Sequence, residues 1–296
     1  MRPIRSLLIF LIVVFLGGAL LAPWLYWFVQ AVAPHSHLAQ SLFHRFVNRS
    51  LLVLALLGIW PLLRSLGAKS WRDVGLVNPA GQWRRLFAGF ALGFGSLACV
   101  ALVVLVARGR QFNFDLTQGQ LAGKIAGAAG TAIVVAILEE LLFRGAIFGA
   151  LRRVWDWRLA LLVSSMIYAI VHFMRSADLT SAVTWSSGLK ILPLMLGGFG
   201  DLQVVIPGFF NLTLAGVLLG YAYQRTGNLY FSIGLHAGWI FLLKSYGFLT
   251  TPITGANHWL WGTEKLIDGW LALIVLSAAF VVLLKLLPSK RINDSQ

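Results

Sequence analysis

GKIAGAAGTAIVVAILEELLFRGAIFGAL, Gly123 to Leu151, holds the two properties from which the rest of the reading follows. It is long and apolar enough to enter a lipid bilayer. It also carries Glu139, Glu140 and Arg144 inside that apolar run. An ionisable side chain at bilayer depth costs on the order of 2.5 to 3.5 kcal/mol on insertion scales, so such groups face a partner or a cavity.

The surrounding sequence is of the same kind. The chain has 296 residues, 58% of them apolar and 11% charged, where an ordinary soluble protein has about 25% charged residues. This predicts an all-α, polytopic membrane protein with about eight transmembrane helices. The apolar runs are Ile4–Val29, Val47–Leu63, Leu86–Ala107, Gly123–Leu151, Trp157–Phe173, Ile206–Tyr223, Leu229–Leu249 and Leu266–Leu287, the second being short and carrying Pro61. The segment Met174–Val205, with Gly197, Gly198 and Gly200 near its end, is expected as either an irregular outer loop or a re-entrant segment. No internal repeat, low-complexity tract or soluble domain interrupts the pattern. One integral membrane domain is expected, with N-terminal helices over 1–122, a helical core over 123–250 and a last helix with its tail over 251–296.

Basic residues orient the helices. With both ends cytoplasmic, the inner segments collect Arg2, Arg5, Arg64, Lys69, Arg72, Arg84, Arg85, Arg152, Arg153, Arg158, Arg225, Lys285, Lys290 and Arg291. That is 14 of the 24 Lys and Arg, against 9 in the outer segments, which favours both termini inside under the positive-inside rule. The net charge of +14 is then mainly a topology signal. Nucleic acid is not an expected partner, because no soluble basic module with interleaved aromatics is present. The start, MRPIRSLLIFLIVVFLGGALLAPW, has the basic and apolar regions of a secretory signal, but its apolar run continues to Trp27, so an anchor helix is expected. The single Cys99 is expected to be a small core residue and rules out a disulfide within the chain.

Ionisable groups recur in three of the runs: Glu139, Glu140 and Arg144 in the fourth, His172 in the fifth and His236 in the seventh. Counted at about 1.5 Å per residue from the inner ends, Glu139 lies roughly 18 Å deep, His172 roughly 22 Å and His236 roughly 10 Å. These depths are compatible with one shared polar site. Within the fourth run, Glu140 and Arg144 are one turn apart on one face, within reach of an ion pair. Glu139 points about 100° away, which leaves it as the carboxylate available for general-base work. His35, His37 and His44 read as a solvated outer loop. Ser164, Ser165 and Ser232 sit in no nucleophile-elbow pattern, and there is no HExxH. Gly216 and Gly220 form a small-xxx-small packing face on the sixth helix.

LEELLFRG, Leu138 to Gly145, resembles the first motif of the CAAX prenyl endopeptidase type II and bacteriocin-processing (CPBP, or Abi) membrane proteases. YAIVH, Tyr168 to His172, is similar to their second motif, with Tyr where Phe is more usual. GVLLGYAYQRTGNLYFSIGLH, Gly216 to His236, resembles the approach to the third. The likeness covers about Gly123 to Leu243. It departs at Ile240, where relatives often have Asn or Asp four residues after the last histidine; Asn211 is the substitute candidate for an oxyanion donor.

The resemblance implies an intramembrane endopeptidase that cuts a membrane-associated protein or peptide. In it Glu139 is the general base, His172 orients the water or shares its proton, and His236 donates to the oxyanion. Glu140 and Arg144 then support the active site. No cofactor is preferred; in the alternative, Glu139, His172 and His236 are three ligands of a zinc ion with water in the fourth position. A second reading stays open, that of a non-catalytic membrane immunity or scaffolding relative with the same fold. A transporter is the third, since polar residues at the midplane also mark substrate paths. Membrane lipids are the expected surroundings, in a cell membrane such as the bacterial inner membrane.

Overall fold

The computed structural model describes residues 2–113, 115–177, 179, 181–255 and 257–287. Lys290 and Arg291, which contribute to the charge asymmetry, lie outside the described residues. Each of the eight apolar runs contains a helix. Helix α1 runs through Arg2–Ile12, a π-helical turn Val13–Gly17 and Gly18–Val32. It is followed by α2 (Phe43–Ser65) and α3 (Trp83–Val106). Helix α4 comprises Gln118–Glu140, a π-helical stretch Leu141–Phe148 and Gly149–Leu151. Then come α5 (Trp157–His172), α6 (Ser187–Leu194), α7 (Leu202–Thr226), α8 (Tyr230–Leu249), the short α9 (His258–Trp261) and α10 (Trp270–Leu286).

Five of these, α1, α2, α3, α4 and α7, are long and apolar enough to cross a membrane, while α5 and α10 are shorter apolar helices. The chain is an all-α polytopic membrane protein. Its helices turn large apolar side chains outward, among them Leu57, Phe87, Leu102, Val106 and Ile274. Such faces are stable against lipid tails and would be costly in water. Cys99 belongs to them: it is exposed on α3, not the core residue expected, because in lipid an outward face selects for apolar character as strongly as the interior does.

The packing divides the chain into two compact units, Met1–Lys69 with Ile170–Leu202, and Ser70–Ala169 with Gln203–Gln296. Of the core expected over 123–250, residues 170–202 therefore group with the N-terminal helices.

In the first unit, the segment expected as a loop or re-entrant stretch contains α6 and a 3-10 turn, Met195–Gly200. Ile191 and Met195, one turn apart, join Ala22, Phe43, Phe46 and Val47 in a buried cluster. Gly188 lets α6 meet the α1 backbone, since a Cβ there would fall on the carbonyl of Ala19. His35 and His37 are exposed as expected, whereas His44 is half-buried in the first turn of α2.

In the second unit, α3 and α8 form the most extensive helix pairing. Gly89 and Gly93 of α3 face the backbone of Phe231 and Leu235, and Gly234 and Gly238 of α8 face the backbone of Leu86 and Phe90. Backbones without side chains between them approach closely, which aligns α8 along α3. The Gly216 and Gly220 face packs as expected, against Ser165 and Leu161 of α5. One feature lies outside an all-helical reading: β1 (Arg110–Phe112) pairs antiparallel with β2 (Thr250–Pro252). Arg110 is buried there and donates to the hydroxyl and carbonyl of Thr250 at 2.8 and 2.7 Å, tying the end of α3 to the end of α8.

Candidate active site

The local structure around the carboxylates begins at a helix start that hydropathy alone misses. Thr117 caps α4, its hydroxyl accepting from the Gln120 amide while the Gln120 side chain accepts from the Thr117 amide. This reciprocal box is readable as T-x-x-Q, and it starts the helix at Gln118 instead of Gly123. The α-helix ends at Glu140, and the next eight residues are π-helical. Such widened turns occur often at functional sites.

Arg144 lies in this widened stretch and donates to Glu140 Oε1 at 2.8 Å. The expected ion pair is present, with both side chains buried. Arg144 also reaches the Gly216 carbonyl at 3.4 Å, and its guanidinium stands 4.8 Å over the ring of Tyr168.

His236 comes to the same place from α8. Its Nδ1 is 2.9 Å from Glu140 Oε1. A carboxylate engaged in an ion pair only accepts hydrogen bonds, so Nδ1 carries a proton and donates it to that bond. Nε2 is then the nitrogen turned to the rest of the site, 3.8 Å from Glu139 Oε2 and 3.4 Å from the Tyr168 hydroxyl. Glu139 is the more open carboxylate, with 27% of its side chain exposed against none for Glu140. Behind the imidazole stands Trp239, ring centroids 6.5 Å apart, whose indole N–H donates to Ser96 Oγ at 2.9 Å.

Residues 121–242 match a family model described as "Rce1-like: Type II CAAX prenyl endopeptidase Rce1-like". This part of the chain is similar to an Rce1-like domain. It takes in nearly all of α4, then α5 to α7 and most of α8, and with them Glu139, Glu140, Arg144, Tyr168, Gly216, His236 and Trp239. The match covers less than half of the chain and agrees with the resemblance drawn from LEELLFRG, YAIVH and the approach to His236. No curated protein and no solved structure matches the chain.

Within the matched residues, the structure brings together Glu139, Glu140, Arg144 and His236, four of the residues singled out in the sequence. His172 ends α5 and belongs with the first unit. Asn211 is placed differently from its expected role. It is fully buried on α7, and its amide nitrogen donates to the carbonyls of Ile267 and Gly269 at 2.7 and 2.8 Å. Both of its N–H groups are thus used to hold the turn before α10, and none is left for an oxyanion. Ser164 and Ser165 bond the Leu161 carbonyl of their own helix at 3.0 and 2.7 Å, and Ser232 bonds the Leu219 carbonyl at 2.8 Å. Sequence reasoning missed Tyr168 as a polar group, treating it as the aromatic of its motif, and missed Glu140 as the partner of His236.

Among the described residues no group of three or more His, Cys, Asp or Glu side chains is arranged to hold a metal ion. Glu140 is committed to Arg144 and His236.

Proposed function

We propose that the chain is an intramembrane endopeptidase in which Glu139 is the general base that activates water for attack on a peptide bond. The observation that carries this reading is the 3.8 Å separation of Glu139 Oε2 and His236 Nε2, with the other face of the imidazole fixed by Glu140. Two groups able to move or share protons then stand side by side, and Glu140 is the carboxylate paired with Arg144.

In the proposed reaction a water proton passes to Glu139 as the water oxygen bonds to the carbonyl carbon. The carbonyl π pair moves onto oxygen, giving an oxyanion. A second proton on His236, at Nε2, makes that nitrogen the donor to it. The carbon–nitrogen bond then breaks, and Glu139 returns its proton to the leaving amine. His172 keeps the water-orienting, proton-sharing role that the resemblance gives it. The substrate class is a membrane-associated protein or peptide.

The apolar Ile240, one turn after His236, supports a second reading, a membrane immunity or scaffolding protein that keeps this fold without turnover. Incubating purified protein in detergent with a library of membrane-inserted peptides, beside its Glu139→Gln variant, separates the two. Cleavage by the wild type and not by the variant is expected; no cleavage by the wild type favours the non-catalytic reading.

A further inference from the structure

An oxyanion formed beside Glu139 would sit in a region of low dielectric, where each hydrogen-bond donor aimed at it counts heavily. Several donors near His236 have partners among the described residues. Trp239 donates to Ser96, and Arg144 to Glu140 and the Gly216 carbonyl. Asn211 donates to Ile267 and Gly269. The residue one turn beyond His236 is Ile240, which has no polar side-chain atom.

The Tyr168 hydroxyl lies 3.4 Å from His236 Nε2. We propose that Tyr168 is a catalytic residue, its hydroxyl being the second donor to the oxyanion beside His236 Nε2–H; this rests on the peptidase reading above. Two donors each about 2.8 Å from one oxygen and separated by the observed distance subtend an angle of about 75° at it, an ordinary geometry for a doubly bonded acceptor. A hydroxyl both donates and accepts and turns about its C–O bond, so it can swing to the developing charge from whatever it touches at rest. Neither donor gives up its proton: the oxyanion accepts two hydrogen bonds, and its electron pair returns to carbon when the carbon–nitrogen bond breaks.

The ring is held for this task. Tyr168 is buried, with Phe143 edge-on at 5.0 Å and the Arg144 guanidinium over its face. One ion pair therefore braces both donors, since Glu140 fixes His236 through Nδ1 while Arg144 covers the ring of Tyr168. A lone ionic pair on the helix would need neither contact.

Tyr168→Phe keeps the ring and the Arg144 stack and removes the O–H. With a peptide that the wild type cleaves, it is expected to lower kcat about 10²- to 10³-fold, the size of effect seen when one oxyanion donor is removed. KM and the melting temperature in detergent should stay at wild-type values, the signature of an interaction made only in the transition state. An unchanged kcat overturns the proposal, and so does a loss that appears as a raised KM or a lowered melting temperature, which marks a packing residue. Glu139→Gln, assayed in parallel, keeps the two readings apart. If it remains active, the base assignment fails while the Tyr168→Phe result stands by itself; if the wild type cleaves no peptide, both fall.

Discussion

His236 Nδ1 and Glu140 Oε1 lie 2.9 Å apart across two helices, and the same oxygen takes the Arg144 hydrogen bond at 2.8 Å. One carboxylate oxygen thus serves a cation on its own helix and an imidazole on another. Glu140 Oε2 carries no hydrogen bond among the described residues. The ion pair is therefore not only a helix fastener: it sets the tautomer and direction of His236, as a carboxylate does for a catalytic or metal-bound histidine.

The two adjacent glutamates should respond differently to the same substitution. Glu139→Gln preserves shape and removes the base, so the protein is expected to fold and to lose on the order of 10²- to 10⁴-fold in rate. Glu140→Gln strands Arg144, and losing one half of a buried pair costs about 3 to 5 kcal/mol. Adding Arg144→Met should restore part of the melting temperature, since no charge is then stranded. Activity should stay low in the double variant, because His236 still lacks its carboxylate. Melting curves and cleavage assays on the three proteins check this; recovery of activity together with stability would mean that Glu140 acts through Arg144 alone.

Metal dependence has its own test. With Glu139 working as a base, activity is expected to survive exhaustive chelation, and purified protein should hold far less than one zinc per chain. Stoichiometric zinc that leaves together with activity would make Glu139, His172 and His236 ligands, against the proposed mechanism.

The helices and the Glu140–Arg144 pair were legible in the sequence because hydropathy and the one-turn spacing depend only on residues close in the chain. What could not be read depends on contacts between distant segments. Depth counting placed Glu139 and His236 roughly 8 Å apart along the membrane normal, yet they meet at 3.8 Å. Counting assumes that every helix stays α-helical from the bilayer edge inward, and α4 does not. It is π-helical from Leu141 to Phe148, between Glu139 and the inner end from which the depth is counted. Asn211 drew attention as a polar residue in an apolar helix, a signal that marks any buried amide; its partners at Ile267 and Gly269 are more than fifty positions away. Helix α6 was hidden because its eight residues, with Leu189, Ile191, Leu192 and Leu194 among them, are too few for a spanning run.

Topology is open to a direct measurement. The distribution of Lys and Arg leads us to expect both termini in the cytoplasm and eight crossings, the shorter α5, α8 and α10 included. Reporter fusions at the C-terminus and between Ser176 and Lys190 should report opposite sides of the membrane. A C-terminal reporter on the outer side would overturn the orientation and reverse which residues count as inner.

Gly93 and Gly95 allow the α3–α8 contact to be tested with a built-in control. In a helix, Gly→Ala is favourable by about 1 kcal/mol through backbone entropy and solvation. Gly95 has open space where its Cβ would be, so Gly95→Ala should be neutral or stabilising. A Cβ at Gly93 falls on the Leu235 carbonyl oxygen, and one at Gly234 on the Leu86 carbonyl oxygen. Backbone cannot rotate away as a side chain can, so Gly93→Ala and Gly234→Ala should each destabilise despite the propensity gain, by about 1 to 3 kcal/mol as overpacking does. Leu235 precedes His236 in the chain, so pushing α8 outward also draws the imidazole from Glu140. Both variants should therefore lose activity more steeply than their melting temperatures fall, while Gly95→Ala keeps the full rate. If Gly93→Ala melts and cleaves like Gly95→Ala, the close approach of α3 and α8 is not what sets the position of His236.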